Sequence, residues 1–331
     1  VAKGRMKVEF LSAIGASSEF SLQVPDAKAS PYTLYGPRGV FLKDNTLIVA
    51  DTGNHRVLIW KDLPKQNQPA DVVLGQMDFY SDHPNAGGDT ERGLFLPTGV
   101  FVSDEGKLFV ADAWNHRILL WDRVPEESFS KPDHVIGQPN LKQVDRNLFF
   151  WCFGVYYHGD DLYVCDTGNR RILKWKGIPD SMQKPDEVYE GFGWPHAICK
   201  KDEYFFVADA GTGVSKVYAF RNSLRCAQQA DFYLGRGEGC GRFNLNLPYG
   251  VSANHRLLFV ADTSNNRVLI FEEREPVAVL GQKDFSKCGE NRWEGVYKDT
   301  LCWPYAVFST EDLLLIADTG NNRVVLYSFN A

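Results

Sequence analysis

The sequence predicts an all-β fold: a six-bladed β-propeller of four-stranded antiparallel blades, its ring closed by an N-terminal strand joining the last blade. Three observations predict it. The phrase Val49-Ala50-Asp51-Thr52-Gly53-Asn54-His55-Arg56 recurs, more or less intact, with its aspartate at Asp51, Asp112, Asp166, Asp209, Asp262 and Asp318. Those aspartates lie 61, 54, 43, 53 and 56 residues apart, a period that signals repeated small sheets rather than one ordinary core. A Pro-x-Gly/Ala slot, its proline replaced by Cys152 in the third copy, precedes each aspartate by 14 residues, or by 15 in the second copy, and a closing aromatic follows by 9 residues, or by 11 in the fourth. Each copy is thus a nearly rigid unit, and length varies between units.

The elements follow in order. Gly39-Val40-Phe41-Leu42 is a short apolar run, Lys43-Asp44-Asn45 is turn chemistry, and Leu47-Ile48-Val49-Ala50 is apolar again. Thr52-Gly53-Asn54 turns the chain once more, and Arg56 to Trp60 runs out. Apolar segments of four or five residues between Gly, Asn and Asp read as strands, because helices need longer periodic stretches. The connections supply a fourth strand at Val72-Val73-Leu74-Gly75-Gln76, Val135-Ile136-Gly137-Gln138 and Val279-Leu280-Gly281-Gln282, with weaker versions at Val188-Tyr189 and Phe232-Tyr233-Leu234. Blade units are expected near 37–74, 97–136, 152–190, 195–234, 248–280 and 304–327. The last unit lacks chain for its fourth strand, and an open edge would invite aggregation. Residues 7–14, with Val8-Glu9-Phe10-Leu11 and an Ile14-Gly15 that echoes Leu74-Gly75, are expected to complete it.

The pattern Ala-Asp-x-x-Asn-x-Arg resembles the NHL-repeat family, named for the Asn-His-Leu triplet of its repeat. It is carried by Asp51/Asn54/Arg56, Asp112/Asn115/Arg117, Asp166/Asn169/Arg171, Asp262/Asn265/Arg267 and Asp318/Asn321/Arg323. Copy four departs: Asp209-Ala210-Gly211-Thr212-Gly213 carries two extra residues, and Lys216 stands where the arginine belongs. The resemblance covers almost the whole chain and implies one propeller domain over 1–331.

Six identical catalytic centres in one ring make no chemical sense, so the repeated Asp, Asn and Arg read as structure. Asp and Asn would bond turn amides, and Arg56, Arg117, Arg171, Arg267 and Arg323 would tie neighbouring blades through charge-assisted bonds. Function is expected where the copies differ. The slot position between Pro and Gly/Ala faces the channel mouth and reads Arg38, Thr98, Phe153, His196, Tyr249 and Tyr305 around the ring. Two residues earlier stand Gly36, Leu96, Trp151, Trp194, Leu247 and Trp303. Aromatics and arginine gathered at a concave site are the composition of recognition; the competing reading of the tryptophans is blade-to-blade packing. The connection between blades three and four is short and leaves a notch beside Trp194 and His196, while 77–96 and 283–303 are long enough to form walls.

Composition narrows the classes. The net charge is −6, so no global field favours nucleic acid. No stretch approaches the ~18 apolar residues of a membrane span. Seven cysteines cannot all pair; Cys152, Cys165 and Cys199 read as small buried residues. Met6-Lys7-Val8 reads as a native start behind a tag remnant, which points to the cytoplasm. Disulfides Cys226/Cys240 or Cys288/Cys302 would instead mark a secreted or periplasmic protein.

The reading is a non-catalytic binding or scaffolding propeller, expected as a monomer, recognising a protein, peptide or small ligand at the channel mouth. Trp151, Trp194, Trp303, Phe153, Tyr249 and Tyr305 would give apolar contact; Arg38 and His196 would give polarity and orientation. The resemblance also implies an alternative, since NHL-like propellers include a peptide-amidating lyase holding zinc with channel-mouth histidines, and related hydrolases use calcium. A metal-dependent lyase or hydrolase would use this same mouth, although a zinc site needs about three converging ligands and only His196 occupies a channel slot. No cofactor is expected otherwise. The second alternative is RNA binding through a local basic patch drawn from Arg38, Arg92, Arg146, Arg236, Arg242 and Arg292, which the acidic total opposes.

Overall fold

The computed structural model describes residues 6–15, 20–21, 24–66 and 68–330. Six four-stranded antiparallel sheets are arranged as blades. In blade one the strands are Gly39–Lys43, Thr46–Asp51, Arg56–Trp60 and Val72–Leu74, in that spatial order. Blades two to five repeat this order from first strands Val100–Val102, Cys152–His158, Pro195–Lys201 and Pro248–Ala253. Blade six is built from Pro304–Ser309, Leu313–Asp318 and Arg323–Asn330, and Lys7–Ile14 adds its fourth strand antiparallel to Arg323–Asn330. Ring closure by the N-terminal strand, expected from the sequence, is what the fold uses. One pairing was not foreseen: Phe20–Ser21 joins Val296–Tyr297 in a two-stranded sheet.

The core lies between blades. Ile48, Val57 and Ile59 of blade one pack with Leu108, Val110 and Leu119 of blade two. Their sequence neighbours Leu47, Val49 and Leu58 pack backwards with Leu315, Ala317 and Val324 of blade six. Successive strand residues face opposite sides of the sheet, so a strand buried on both faces must be apolar without interruption. That is why the second and third strands carry unbroken apolar runs.

The repeat motif performs a more specific task than the sequence suggested. The Oδ2 of Asp51 accepts bonds from Arg56 Nε at 2.7 Å and Asn54 Nδ2 at 3.0 Å, while Oδ1 accepts the Tyr35 backbone N–H at 2.6 Å. The Arg–Asp pair therefore closes within a blade. The far end of the guanidinium donates to Phe79, Ser30 and Thr33 carbonyls, clamping the connections that enter and leave the blade. Arg117 and Arg267 make the same kind of clamp, on Leu141 and Thr90 and on Phe285 and Gly241.

The blade-to-blade ties expected of arginine come instead from the residue after the aspartate. Thr52, Thr167, Thr263 and Thr319 donate to the slot-proline carbonyls Pro97, Pro195, Pro304 and Pro37 of the next blade, at 2.6–2.7 Å. A hydroxyl can reach across where two strands nearly touch; the arginine, buried beside its own aspartate, cannot.

Neither cysteine pairing suggested by spacing is made, and the seven thiols are free. Cys152, Cys165 and Cys199 are buried as expected, and so is Cys302. Cys226 instead accepts the Glu190 N–H, and burial, with a smaller push from nearby Cys288, lifts the Cys240 thiol to about 12. No described helix is long and apolar enough to cross a membrane.

Candidate functional site at the channel mouth

A β-bulge in the first strand of blades three to six aims the mouth residues. In blade three Cys152 pairs with Asp166 and Gly154 with Cys165, leaving Phe153 as the extra residue. His196, Tyr249 and Tyr305 are the extra residues of the same bulge in blades four, five and six. A bulge turns one side chain out of the ladder, here toward the axis. The residue after the bulge must be small, because the next blade approaches closely: a Cβ on Gly154 would lie 2.3 Å from the His196 carbonyl oxygen.

Thr98 does not take this place. It is 1% exposed, and its hydroxyl donates to the Phe153 carbonyl at 2.8 Å, tying blade two to blade three. Blade two has one residue more between its slot proline and Asp112, so Gly99 moves into the channel position and lines the passage below the mouth.

The mouth is a cavity of about 490 Å³ lined by Arg38, Trp114, Trp151, Phe153, Thr167, Trp194, His196, Tyr249, Trp303, Tyr305, Thr319 and Gly320. Eight of the nine mouth residues picked from the sequence meet here, all but Thr98. Trp114 was missed. It replaces the glycine that stands at 53, 168 and 320 in the repeat turn, and that substitution was its signal. Its ring stacks on Trp151 at 4.7 Å and 15°, and runs nearly parallel to Phe153 at 6.3 Å and 20°. Blade two, with glycine in its slot, thus supplies a ring from its turn.

From Phe153 the rings continue through His196 at 5.4 Å, Tyr249 at 4.4 Å and Tyr305 at 4.6 Å. The guanidinium of Arg38 sits 5.0 Å over the Tyr305 ring. These five residues also bound a narrower space beneath, about 130 Å³, so they form the cavity floor. His196 is 5% exposed, buried in that floor rather than open to the notch. Its Nδ1 lies 2.6 Å from the Trp194 carbonyl, which can only accept, so Nδ1 carries the proton and Nε2 is an acceptor. Burial, with a smaller push from Arg38, drives its pKa down to about 3, so the ring stays neutral. Burial raises the phenols of Tyr249 and Tyr305, which keep their protons.

Trp151 and Trp303 hold left-handed backbone, at φ 50° and 49°, as do Leu96 and Leu247 at the equivalent position; Gly36 does so in blade one. The neighbouring blade secures each: Trp151 N–H donates to His116 Nδ1, and Trp303 N–H to Asn266 Oδ1. Such conformations persist where surrounding structure over-determines them. Trp303 is 42% exposed, so packing is not its whole role. Trp194 is placed differently, against the backbone of Gly211, where a Cβ would meet its ring at 2.9 Å.

The long connections do not wall the cavity. Nothing from 77–96 or 283–302 lines it, because the arginine clamps and Gln76 and Gln282, each donating to a loop carbonyl, draw those segments to the repeat turns. Among the described residues no three His, Cys, Asp or Glu side chains converge as metal ligands. Of the arginines considered for a basic patch, Arg92 and Arg292 pair with Asp89 and Asp299, and Arg146 and Arg236 lie over Phe150 and Phe243.

The profile described as NHL repeat matches residues 34–60. NHL repeat-containing protein 2 from Homo sapiens is 23% identical over 357 residues, covering 89% of this chain and 46% of that protein. Its Bos taurus counterpart is 22% identical with the same coverage. The chain spans about half the length of these curated relatives. Among solved structures, an auxiliary nutrient binding protein from Bacteroides thetaiotaomicron VPI-5482 superposes with a TM-score of 0.62 at 12% identity, over 98% of this chain and 77% of that one. Virginiamycin B lyase from Staphylococcus aureus gives 0.53 at 10% identity, over 98% and 99%. At these identities the likeness is one of fold.

Proposed function

The chain belongs to the NHL-repeat family of six-bladed propellers, and on that premise we propose that it is a binding or scaffolding module whose ligand enters the channel mouth. One observation carries the reading. On a frame repeated six times, the mouth is the place where unlike residues converge, and they converge as four tryptophans, two tyrosines and a phenylalanine around a cavity of about 490 Å³. That volume falls within the ~300–1,000 Å³ range of small-molecule sites, which are mostly apolar with a few placed polar groups. Aromatic anchors in a desolvated pocket are what dominate binding energy at recognition sites. The imidazole in the floor is held neutral with a low pKa, which makes it a hydrogen-bond acceptor and a poor base, and supports binding over proton abstraction.

Crystals soaked with a fragment library test the reading. Fragments are expected to collect between Trp151, Trp194 and Trp303. Trp194→Ala and Trp303→Ala are expected to empty the mouth while the melting temperature stays near wild type. Fragments that collect elsewhere, or hits indifferent to both substitutions, would overturn it. Stoichiometric divalent metal in the purified protein, lost in His196→Ala, would favour the lyase or hydrolase alternative instead.

A further inference from the structure

We infer that the mouth takes an aromatic organic anion, with its ring against the Trp114–Trp151–Phe153 wall and its carboxylate on Arg38. The inference rests on the mouth being a binding site, and it adds the ligand's chemistry. Two features of the lining carry it, one apolar and one charged.

The wall has a direction. Trp114, Trp151 and Phe153 lie within about 20° of a common plane orientation. Trp151 stacks on both Trp114 at 4.7 Å and Phe150 at 4.2 Å, so mutual stacking covers these ring faces and leaves edge-to-face contact for a flat ligand ring, an arrangement aromatic pairs also favour.

The charge is one-sided. Among the described residues Arg38 is the sole ionised side chain in the lining, and no described Asp or Glu joins it. Its guanidinium lies over the Tyr305 ring, which does not neutralise it. It is exposed at the mouth, so no burial of an unpaired charge forces the arrangement. Its guanidinium can meet a carboxylate with two parallel N–H donors, which makes for a strong and oriented contact. A ligand cation would find no carboxylate in the lining and would be repelled by Arg38. Around the floor, Tyr249 keeps its phenol proton and can add a donor, while His196 Nε2 remains an acceptor for a ligand hydroxyl or N–H.

Isothermal titration calorimetry with three probes of one shape tests this: 1-naphthylacetate, 1-naphthylacetamide and 1-naphthylmethylammonium. The anion is expected to bind about tenfold tighter than the amide, and the ammonium weakest. Arg38→Met, which keeps length and removes charge at an exposed position, is expected to bring the anion down to the amide without affecting the melting temperature. Trp303→Ala should weaken anion and amide together. Equal affinity of anion and amide in wild type, or an anion preference that survives Arg38→Met, overturns the inference and leaves the mouth as a binding site intact. If none of the three binds, the inference fails as well, and the fragment soak decides separately whether the mouth binds anything.

Discussion

His116 accepts the backbone N–H of Trp151 through its Nδ1, at 3.1 Å, across the gap between blades two and three. One residue belongs to the repeated turn, the other to the mouth. His55 does the same for Leu96, while Asn266 and Asn322 do it for Trp303 and Gly36 through a side-chain oxygen. The frame thus positions four of the six variable positions by one bond each. All four acceptors sit in left-handed backbone, where Asn is tolerated better than most residues. His116→Asn is therefore expected to keep the melting temperature close to wild type, as the native asparagines do in blades five and six. His116→Ala leaves the Trp151 N–H without its partner and should cost about 1–3 kcal/mol. Urea denaturation of both variants checks the pair, and equal losses would mean that the bond is not what counts.

The sequence carried the frame legibly because most of its geometry is local: the turn and the apolar strands follow from residues a few positions apart, and the closing N-terminal strand follows from the fourth strand the last unit lacks. The mouth was legible only where the step from slot to aspartate held at 14 residues. At the step of 15 in blade two, counting from the proline selected Thr98, whereas counting back from Asp112 selects Gly99. Trp114 escaped because it lies in the motif that reads as structure. The role of arginine was misassigned because a guanidinium's partners in distant loops have no sequence spacing; the threonine ties were hidden for the same reason.

Asp262→Ala should destabilise the fold strongly and leave mouth binding unchanged. Asp262 and Arg267 are both fully buried and 2.7 Å apart. Removing the carboxylate strands a buried guanidinium, a loss of about 3–5 kcal/mol. Chemical denaturation measures the first part, and naphthylacetate titration of the folded fraction measures the second. Weakened binding in a fully folded variant would show that the motif shapes the mouth directly.

Blade four makes an internal contrast. Lys216 lies 4.1 Å over the Tyr233 ring instead of pairing with Asp209, and Asp209 Oδ1 is buried without a partner. Burial lifts Asp209 from 3.8 to about 6. The folded chain then holds its proton at pH values where the unfolded chain has released it, so stability falls as pH rises through that window. Asp209→Asn removes this slope, and its urea midpoint should gain on wild type between about pH 4 and pH 6. The histidines act in the opposite sense. Burial holds His55 and His116 below their ordinary 6.5, with Arg146 adding to the effect at His116. Their contribution is present above 6.5 and is lost as pH falls from there toward the folded values. His116→Asn should flatten that part of the profile. A profile unchanged by either variant would contradict both assignments.

The thiols of Cys240 and Cys288, which spacing paired with other partners, are placed to pair with each other. Cys240 lies in the connection between blades four and five and Cys288 in the next, and Cys288 is near enough to add to burial in raising the Cys240 thiol. The turn of blade five holds both backbones. Asn265 Nδ2 donates to the Gly239 carbonyl at 2.8 Å and Asn266 Nδ2 to the Cys288 carbonyl at 3.1 Å. Two neighbouring thiols on loops fixed to one turn are placed to bond. Diamide would take one hydrogen from each thiol, becoming the corresponding hydrazine as the S–S bond forms. Mass spectrometry of unreduced peptides should then show one Cys240–Cys288 link. Cys226, 36 residues from the Glu190 whose N–H it accepts, should stay reduced in the same sample. A closed loop of about 48 residues would raise stability by about 4 kcal/mol on chain-entropy grounds, less any strain. Cys288→Ser abolishes the link and the gain together. A Cys226–Cys240 or Cys288–Cys302 link in its place would mean that the connections are not held as the asparagine bonds hold them.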